Sequence, residues 1–146
     1  MAKTIQHSVK FKTTPENLFD IYLDSRNHGK AIGSTASISR KVGGKFQAFN
    51  GWLYGRNLAI VPKKMIVQAW RCRGWKKDDA DSVLMLTFHK IPGGTQLNLV
   101  HANVPDHLFS ELNRGWFESY WEPWKAYLKA SAGESRKPRG NGSQKR

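Results

Sequence analysis

The sequence predicts an α+β domain in which a curved antiparallel sheet of about seven strands wraps around a long C-terminal helix. Three observations carry this. The middle of the chain is a series of β-branched and aromatic segments separated by short Gly, Pro and Asn turns. After Pro105 the apolar period changes from two to between three and four. The links between successive strands are too short for crossovers, which makes the sheet an antiparallel meander. Such a sheet has one face to bury, and the long aromatic helix is the one element large enough to cover it.

Residues 4–11 alternate, with Ile5, His7, Val9 and Phe11 on one side and Thr4, Gln6, Ser8 and Lys10 on the other, as a strand with one buried face does. Thr14-Pro15-Glu16 then reads as an N-cap, a first-turn proline and an early acid. They open a short helix with the stripe Leu18, Phe19, Tyr22 and Leu23. Residues 24–29 are polar and read as its end, with a turn or short helix over 30–33. Strands are expected over 35–40, 44–49, 52–61, 65–73, 82–90 and 95–104, divided by turn chemistry such as Gly43-Gly44, Asn50-Gly51, Pro62-Lys63 and Gly93-Gly94. Leu108, Phe109, Leu112, Trp116, Tyr120, Trp124 and Leu128 mark the long amphipathic helix. Pro123 inside it removes a backbone bond and predicts a kink near Ser119 and Tyr120. Phe117 and Trp121 fall off the stripe, toward a cavity mouth or an exposed edge.

The 146 residues fit one domain, assigned to 1–130, followed by a disordered basic tail over 131–146 rich in Gly, Ser, Pro and cations. Lys and Arg number 24 against 11 Asp and Glu, a formal net charge of +13. From Ser131 onward five cations and one acid give +4, leaving +9 on the domain. This balance favours anionic partners of any kind, and it equally serves plain solubility. The single cysteine, Cys72, excludes an internal disulfide and a paired-cysteine zinc site. The charged, alternating N-terminus is unlike a signal peptide, and no apolar run is long enough to span a bilayer, so a cytoplasmic location is expected.

Catalytic chemistry finds little support. His7, His28, His89, His101 and His107 show no paired metal-ligand spacing, so no metal is expected. There is no GxSxG, and nothing in the sequence sets a serine beside a histidine and an acid. Cys72 lies between Arg71 and Arg73, which would lower a thiol pKa, although a lone cysteine facing the core is the commoner arrangement. The Val42-Gly43-Gly44 turn leads into a strand, so no helix N-terminus is there to hold a phosphate. Neither enzymatic activity nor a cofactor is expected.

Four stretches together are similar to a known family: TPENLFDIYLDSRNHGKAIG, VGGKFQAFNGWLYGRNLAIVPKKMIVQAWR, GGTQLNLVHANVP and GWFESYWEPWKAYL. They cover roughly residues 5 to 130, and the chain resembles the C-terminal domain of the homologues of the activator of Hsp90 ATPase, within the START-like (SRPBCC) superfamily. The resemblance implies a helix-grip fold with an apolar cavity between sheet and helix. Members bind hydrophobic small molecules, assist chaperones, or have no assigned role. Eukaryotic activators carry a further N-terminal domain that supplies much of the chaperone contact, whereas this chain opens on its first strand.

Alternation then nominates the pocket. Ile66, Gln68, Trp70 and Cys72 share one face, as do Leu84, Leu86 and Phe88, and again Leu97, Leu99 and His101. The expected walls of a hydrophobic-ligand site are Phe19, Tyr22, Trp70, Leu86, Phe88, Leu99, Trp116 and Tyr120, with Gln68 and His101 orienting the ligand. The plainer alternative is that these two polar groups satisfy buried neighbours. Two further readings stay open. One is an interaction module for an Hsp90-type chaperone. The other is electrostatic binding of RNA or lipid through Lys63, Lys64, Arg71, Arg73, Lys76 and Lys77 beside Trp75, without a motif for specific nucleic-acid recognition.

Overall fold

Period-two alternation in the strands becomes one buried face of a single sheet. The computed structural model describes residues 2–136, with side chains as far as Ser131. Its strands are β1 (Ala2–Phe11), β2 (Ala36–Ile38), β3 (Lys45–Ala48), β4 (Leu53–Val61), β5 (Met65–Cys72), β6 (Ser82–Ile91) and β7 (Gly94–Pro105). They lie in the order β1-β7-β6-β5-β4-β3-β2, every pair antiparallel. The first strand therefore sits at one edge beside the last, with Ile5 opposite His101. Ile66, Trp70, Leu84, Leu86, Leu97 and Leu99 fill the inner face and are each almost fully buried.

Two helices bridge β1 and β2. In α1 (Pro15–Leu23), the Thr14 hydroxyl caps the first turn by accepting from the Asn17 amide at 3.1 Å. The polar stretch ends this helix at Leu23, as expected, and the short helix expected over 30–33 starts earlier, as α2 (Ser25–Ile32). Asp24 makes the difference, because its carboxylate accepts from the Asn27 amide at 3.0 Å, and Gly33 ends the helix at φ 69°. Only His28, Ala31 and Ile32 face inward, too few apolar residues for the period to be visible in sequence.

The C-terminal element opens with a 3₁₀ turn (Asp106–Leu108) and continues as α3 (Phe109–Gly115), a π-helical turn (Trp116–Trp121) and α4 (Glu122–Arg136). The disturbance expected from Pro123 takes the form of that widened turn: the Glu122 amide bonds the Phe117 carbonyl, five residues back. Proline offers no N–H to the carbonyl four residues before it, so the backbone expands one turn earlier. The expansion rotates Trp121 inward, where it is 1% exposed and stacks on Trp116 with ring centres 5.5 Å apart; Phe117 stays 42% exposed. Of the tail expected to be disordered from Ser131, residues as far as Arg136 are helical, and 137–146 lie outside the described residues. No helix among the described residues is long and apolar enough to cross a membrane.

Candidate functional site

Two buried polar networks lie behind the aromatic layer, and each is closed on itself. In the first, the Tyr22 hydroxyl donates to Gln68 Oε1 at 2.8 Å, and Gln68 Nε2 donates to Asn57 Oδ1 at 2.9 Å. Asn57 in turn donates to the carbonyls of Ser39 and Lys41 at 2.8 and 3.0 Å. Beside it, His28 Nδ1 donates to the Tyr22 carbonyl at 2.7 Å, which leaves Nε2 to accept from the Tyr120 hydroxyl at 2.8 Å. Burial raises the pKa of both phenols and lowers that of His28 to about 4, so each group stays neutral near pH 7.

The second network is centred on His101. The Trp116 indole N–H donates to His101 Nδ1 at 3.2 Å, which fixes the proton on Nε2. That Nε2–H donates to Ser82 Oγ at 2.8 Å, and Ser82 passes its own proton to the Trp70 carbonyl. Folding thus sets a serine beside a histidine, which the sequence did not foreshadow. The tautomer is the wrong one for a general base, since the nitrogen facing the hydroxyl already carries a proton. Burial also lowers the His101 pKa to about 3, and no carboxylate among the described residues partners the ring.

An open space lies between the sheet and the π-helical turn. There a cleft of about 510 Å³ is floored by Phe49, Trp52, Leu53, Trp70, Trp116 and Tyr120. Its rim is polar, with Asn50, Arg73, Glu111, Arg114, Glu118 and Ser119. Arg114 and Glu118 pair across one helical turn at 3.7 Å. The mouth is shaped by the β3–β4 turn, in which Phe49, Asn50 and Gly51 all take positive φ, at 55°, 56° and 83°. A phenylalanine in that region is strained and needs holding in place. Thr35 supplies the restraint: its carbonyl accepts from the Phe49 amide at 2.9 Å, and its hydroxyl accepts from the Asn50 amide at 2.9 Å. Phe49 consequently meets Tyr120 edge to face, with ring centres 6.0 Å apart.

Of the ten residues nominated from sequence, Trp70, Trp116 and Tyr120 line this cleft. Phe19, Tyr22, Leu86, Phe88 and Leu99 are buried in the core behind it, as are Gln68 and His101, whose polar atoms are engaged by the protein. Alternation finds the inner face but does not say where that face is left uncovered. Phe49 and Trp52 were missed, although two aromatics flanking Asn50-Gly51 are a usable signal, since turns ordinarily carry polar residues. Trp70 also has a buried indole N–H without an acceptor among the described residues.

Other candidates resolve more simply. Cys72 is 1% exposed, and burial with the nearby Glu111 charge pushes its thiol up to about 12, overriding the flanking arginines. No cluster of His, Cys, Asp or Glu among the described residues is arranged to hold a metal ion. The basic group from Lys63 to Lys77 is divided between the two ends of β5, about 26 Å apart for a strand of this length. Within it Arg71 is occupied, pairing with Asp81 at 2.9 Å and donating to the Asp79 and Lys76 carbonyls.

A family model described as "Activator of Hsp90 ATPase homolog 1-like protein" matches residues 12–129. Among curated proteins, the chain is 32% identical over 122 residues to the mouse (Mus musculus) activator of 90 kDa heat shock protein ATPase homolog 2, covering 84% of this chain and 37% of that protein. The human homolog 1 is 28% identical over 112 residues, covering 77% and 33%. The chain thus spans about a third of the length of the curated relatives it matches. Among solved structures, an HSP90 activator from Plasmodium falciparum superposes with a TM-score of 0.81 at 26% identity, covering 86% of this chain and 96% of that one. A protein of the dynemicin biosynthetic locus shares the fold at 14% identity, with a TM-score of 0.74 over 88% of this chain and 48% of that one.

Proposed function

The chain belongs to the activator of Hsp90 ATPase homolog 1-like family, and on that footing we propose that it is a non-catalytic binding domain holding a small hydrophobic ligand between its sheet and C-terminal helix. The cleft carries this reading. Its volume, about 510 Å³, lies within the range of ligand pockets, and its floor is aromatic while its polar groups gather at the rim. Trp70, Trp116 and Tyr120 grip the apolar body, together with Phe49, Trp52 and Leu53. Asn50, Arg73 and Ser119 at the rim orient its polar end. Gln68 and His101 hold the floor rigid from behind. The closed Ser82–His101 pair supports a binding role over a hydrolytic one.

The test is native mass spectrometry of protein purified gently from its own cells, paired with titration of the purified chain by 1-anilinonaphthalene-8-sulfonate. A discrete added mass of a few hundred daltons, together with single-site probe binding that Trp52→Ala weakens, is the expected result. A bare protein mass with no saturable probe binding would sink the reading.

The relatives' names favour a second reading, a chaperone-associated interaction module. It predicts a salt-sensitive complex with an Hsp90-type chaperone and a faster ATPase rate. No complex at low salt ends it.

A further inference from the structure

The face of the sheet turned away from the C-terminal helix is composed unlike an ordinary solvated sheet face. An antiparallel sheet covered on one side normally alternates apolar-in with polar-out. Here the outward positions of the central strands are apolar in two adjoining rows. Val67, Met85 and Val100 stand directly opposite one another across β5, β6 and β7, and Ala69, Val83 and Ala102 form the next row. Val83 and Met85 are 40% and 37% exposed. With the half-buried Val67, Val100 and Ala102 they form one aliphatic patch, and Ala69 is buried at its edge.

Charge around this patch is mainly positive: one acid, Asp81, lines the same face, and it is taken up by Arg71 at 2.9 Å. None of the seven strands contains an Asp or a Glu, and all eleven acids lie in helices, loops or the C-terminal segment. The strands do carry Lys10, Lys45, Arg56 and Arg71 at outward positions, and the Pro62-Lys63-Lys64 hairpin adds cations at the far end. Lys45 and Arg56 sit directly opposite each other on β3 and β4, and neither has an ion-pair partner among the described residues. Like charges in that relation repel, and an acidic group from outside turns the repulsion into attraction.

We infer that this outer face is a docking surface for an acidic protein segment whose apolar side chains cover the Val67–Met85–Val100 patch while its carboxylates meet Lys45 and Arg56. The site is on the opposite side of the sheet from the cleft and does not depend on a ligand there. One exposed aromatic, Tyr54, stands at the cationic end of this face opposite Arg71, but the centre is aliphatic, which fits a protein partner better than single-stranded nucleic acid stacking on successive aromatics. A second copy of the chain fits poorly, because each copy carries +13 and presents the same cations.

The test uses the full chain, isotopically labelled, titrated at low salt with a synthetic peptide of alternating Glu and Leu. The same peptide with Lys for Glu and an oligothymidylate serve as comparisons. The Glu peptide is expected to shift the amide signals of Val67, Met85 and Val100. A Val83→Thr/Met85→Thr variant, which keeps strand propensity, and a Lys45→Glu/Arg56→Glu variant are each expected to bind about tenfold more weakly. The Lys peptide is expected not to bind. The inference is overturned by shifts confined to the cleft, by equal binding of the oligonucleotide to this face, by a concentration-dependent dimer through the same residues, or by unchanged affinity in both variants.

Discussion

Replacing Gln68 with leucine tests whether the buried amide is structural. The side chain is fully buried and bridges two others: it accepts from Tyr22 at 2.8 Å and donates to Asn57 at 2.9 Å. Leucine matches its volume closely but strands the Tyr22 hydroxyl and Asn57 Oδ1, each away from water. An orphaned buried polar group costs about 1–3 kcal/mol, and the better burial of an apolar side chain returns part of it. The net expected loss is about 3 kcal/mol, a large fraction of the roughly 5–15 kcal/mol that holds a domain together. Urea unfolding followed by far-ultraviolet circular dichroism measures it directly. Tyr22→Phe strands only Gln68 Oε1 and is expected to cost about 1–2 kcal/mol. The double variant is expected to cost less than the two singles combined, because one broken contact is then counted twice. If Gln68→Leu unfolds within about 0.5 kcal/mol of the parent while cleft binding is lost, the amide serves a ligand and the structural argument fails.

Acid gives a second test, through His28 and His101, which burial holds at about 4 and about 3 in the fold against 6.5 for the free side chain. The unfolded chain therefore binds more protons as pH falls below about 6.5, so stability is complete above that pH and declines toward the folded values. The slope approaches about 2.7 kcal/mol per pH unit when both contribute, and urea midpoints that stay level from pH 7 to 5 would contradict it. Cys72 is expected to resist alkylation by iodoacetamide in the native protein and to react once unfolded; rapid native labelling, read by mass, would show the thiol to be accessible. Two glycines should respond in opposite directions. Gly115 has helical φ and ψ (−61°, −35°) and open space where a Cβ would go, so Gly115→Ala is expected to stabilise by up to about 1 kcal/mol. At Gly55 a Cβ would fall 1.9 Å from the Ala69 carbonyl oxygen, so Gly55→Ala is expected to fail to fold, and a soluble, cooperatively melting variant would refute that placement.

The strands were legible almost to the residue because one buried face imposes period two and Gly-rich turns punctuate it; β5 and β6 match their expected spans to within a position. Only the end of helix α2 was legible; its start rests on a single cap at Asp24 and on a buried His28 that composition counts as polar. Asn57 escaped notice for a similar reason. It is a buried amide next to a break in the β4–β5 register, and its partners are loop carbonyls that no pattern announces. The candidate site was half legible. Trp116 and Tyr120 followed from helical spacing, but the π-helical turn that carries them depends on how the backbone answers Pro123. Whether Gln68 faces a ligand or a tyrosine is decided by side-chain packing from α1, a relation between residues 46 positions apart.

The place of β1 at the sheet edge beside β7 also bears on how the chain is made. Its partner residues run from Thr95 to Pro105, so the first strand synthesised is among the last to pair. At about 5–20 residues per second, the apolar side of β1 waits roughly 5–20 s on the ribosome with no strand to receive it. Such a strand is an aggregation hazard during that interval. Lys3, Lys10 and Lys12 flank or interrupt it and keep neighbouring nascent chains apart. Pairing of β1 with β7 is accordingly the contact of greatest sequence separation in the sheet, the kind that loop-closure entropy makes slow to form.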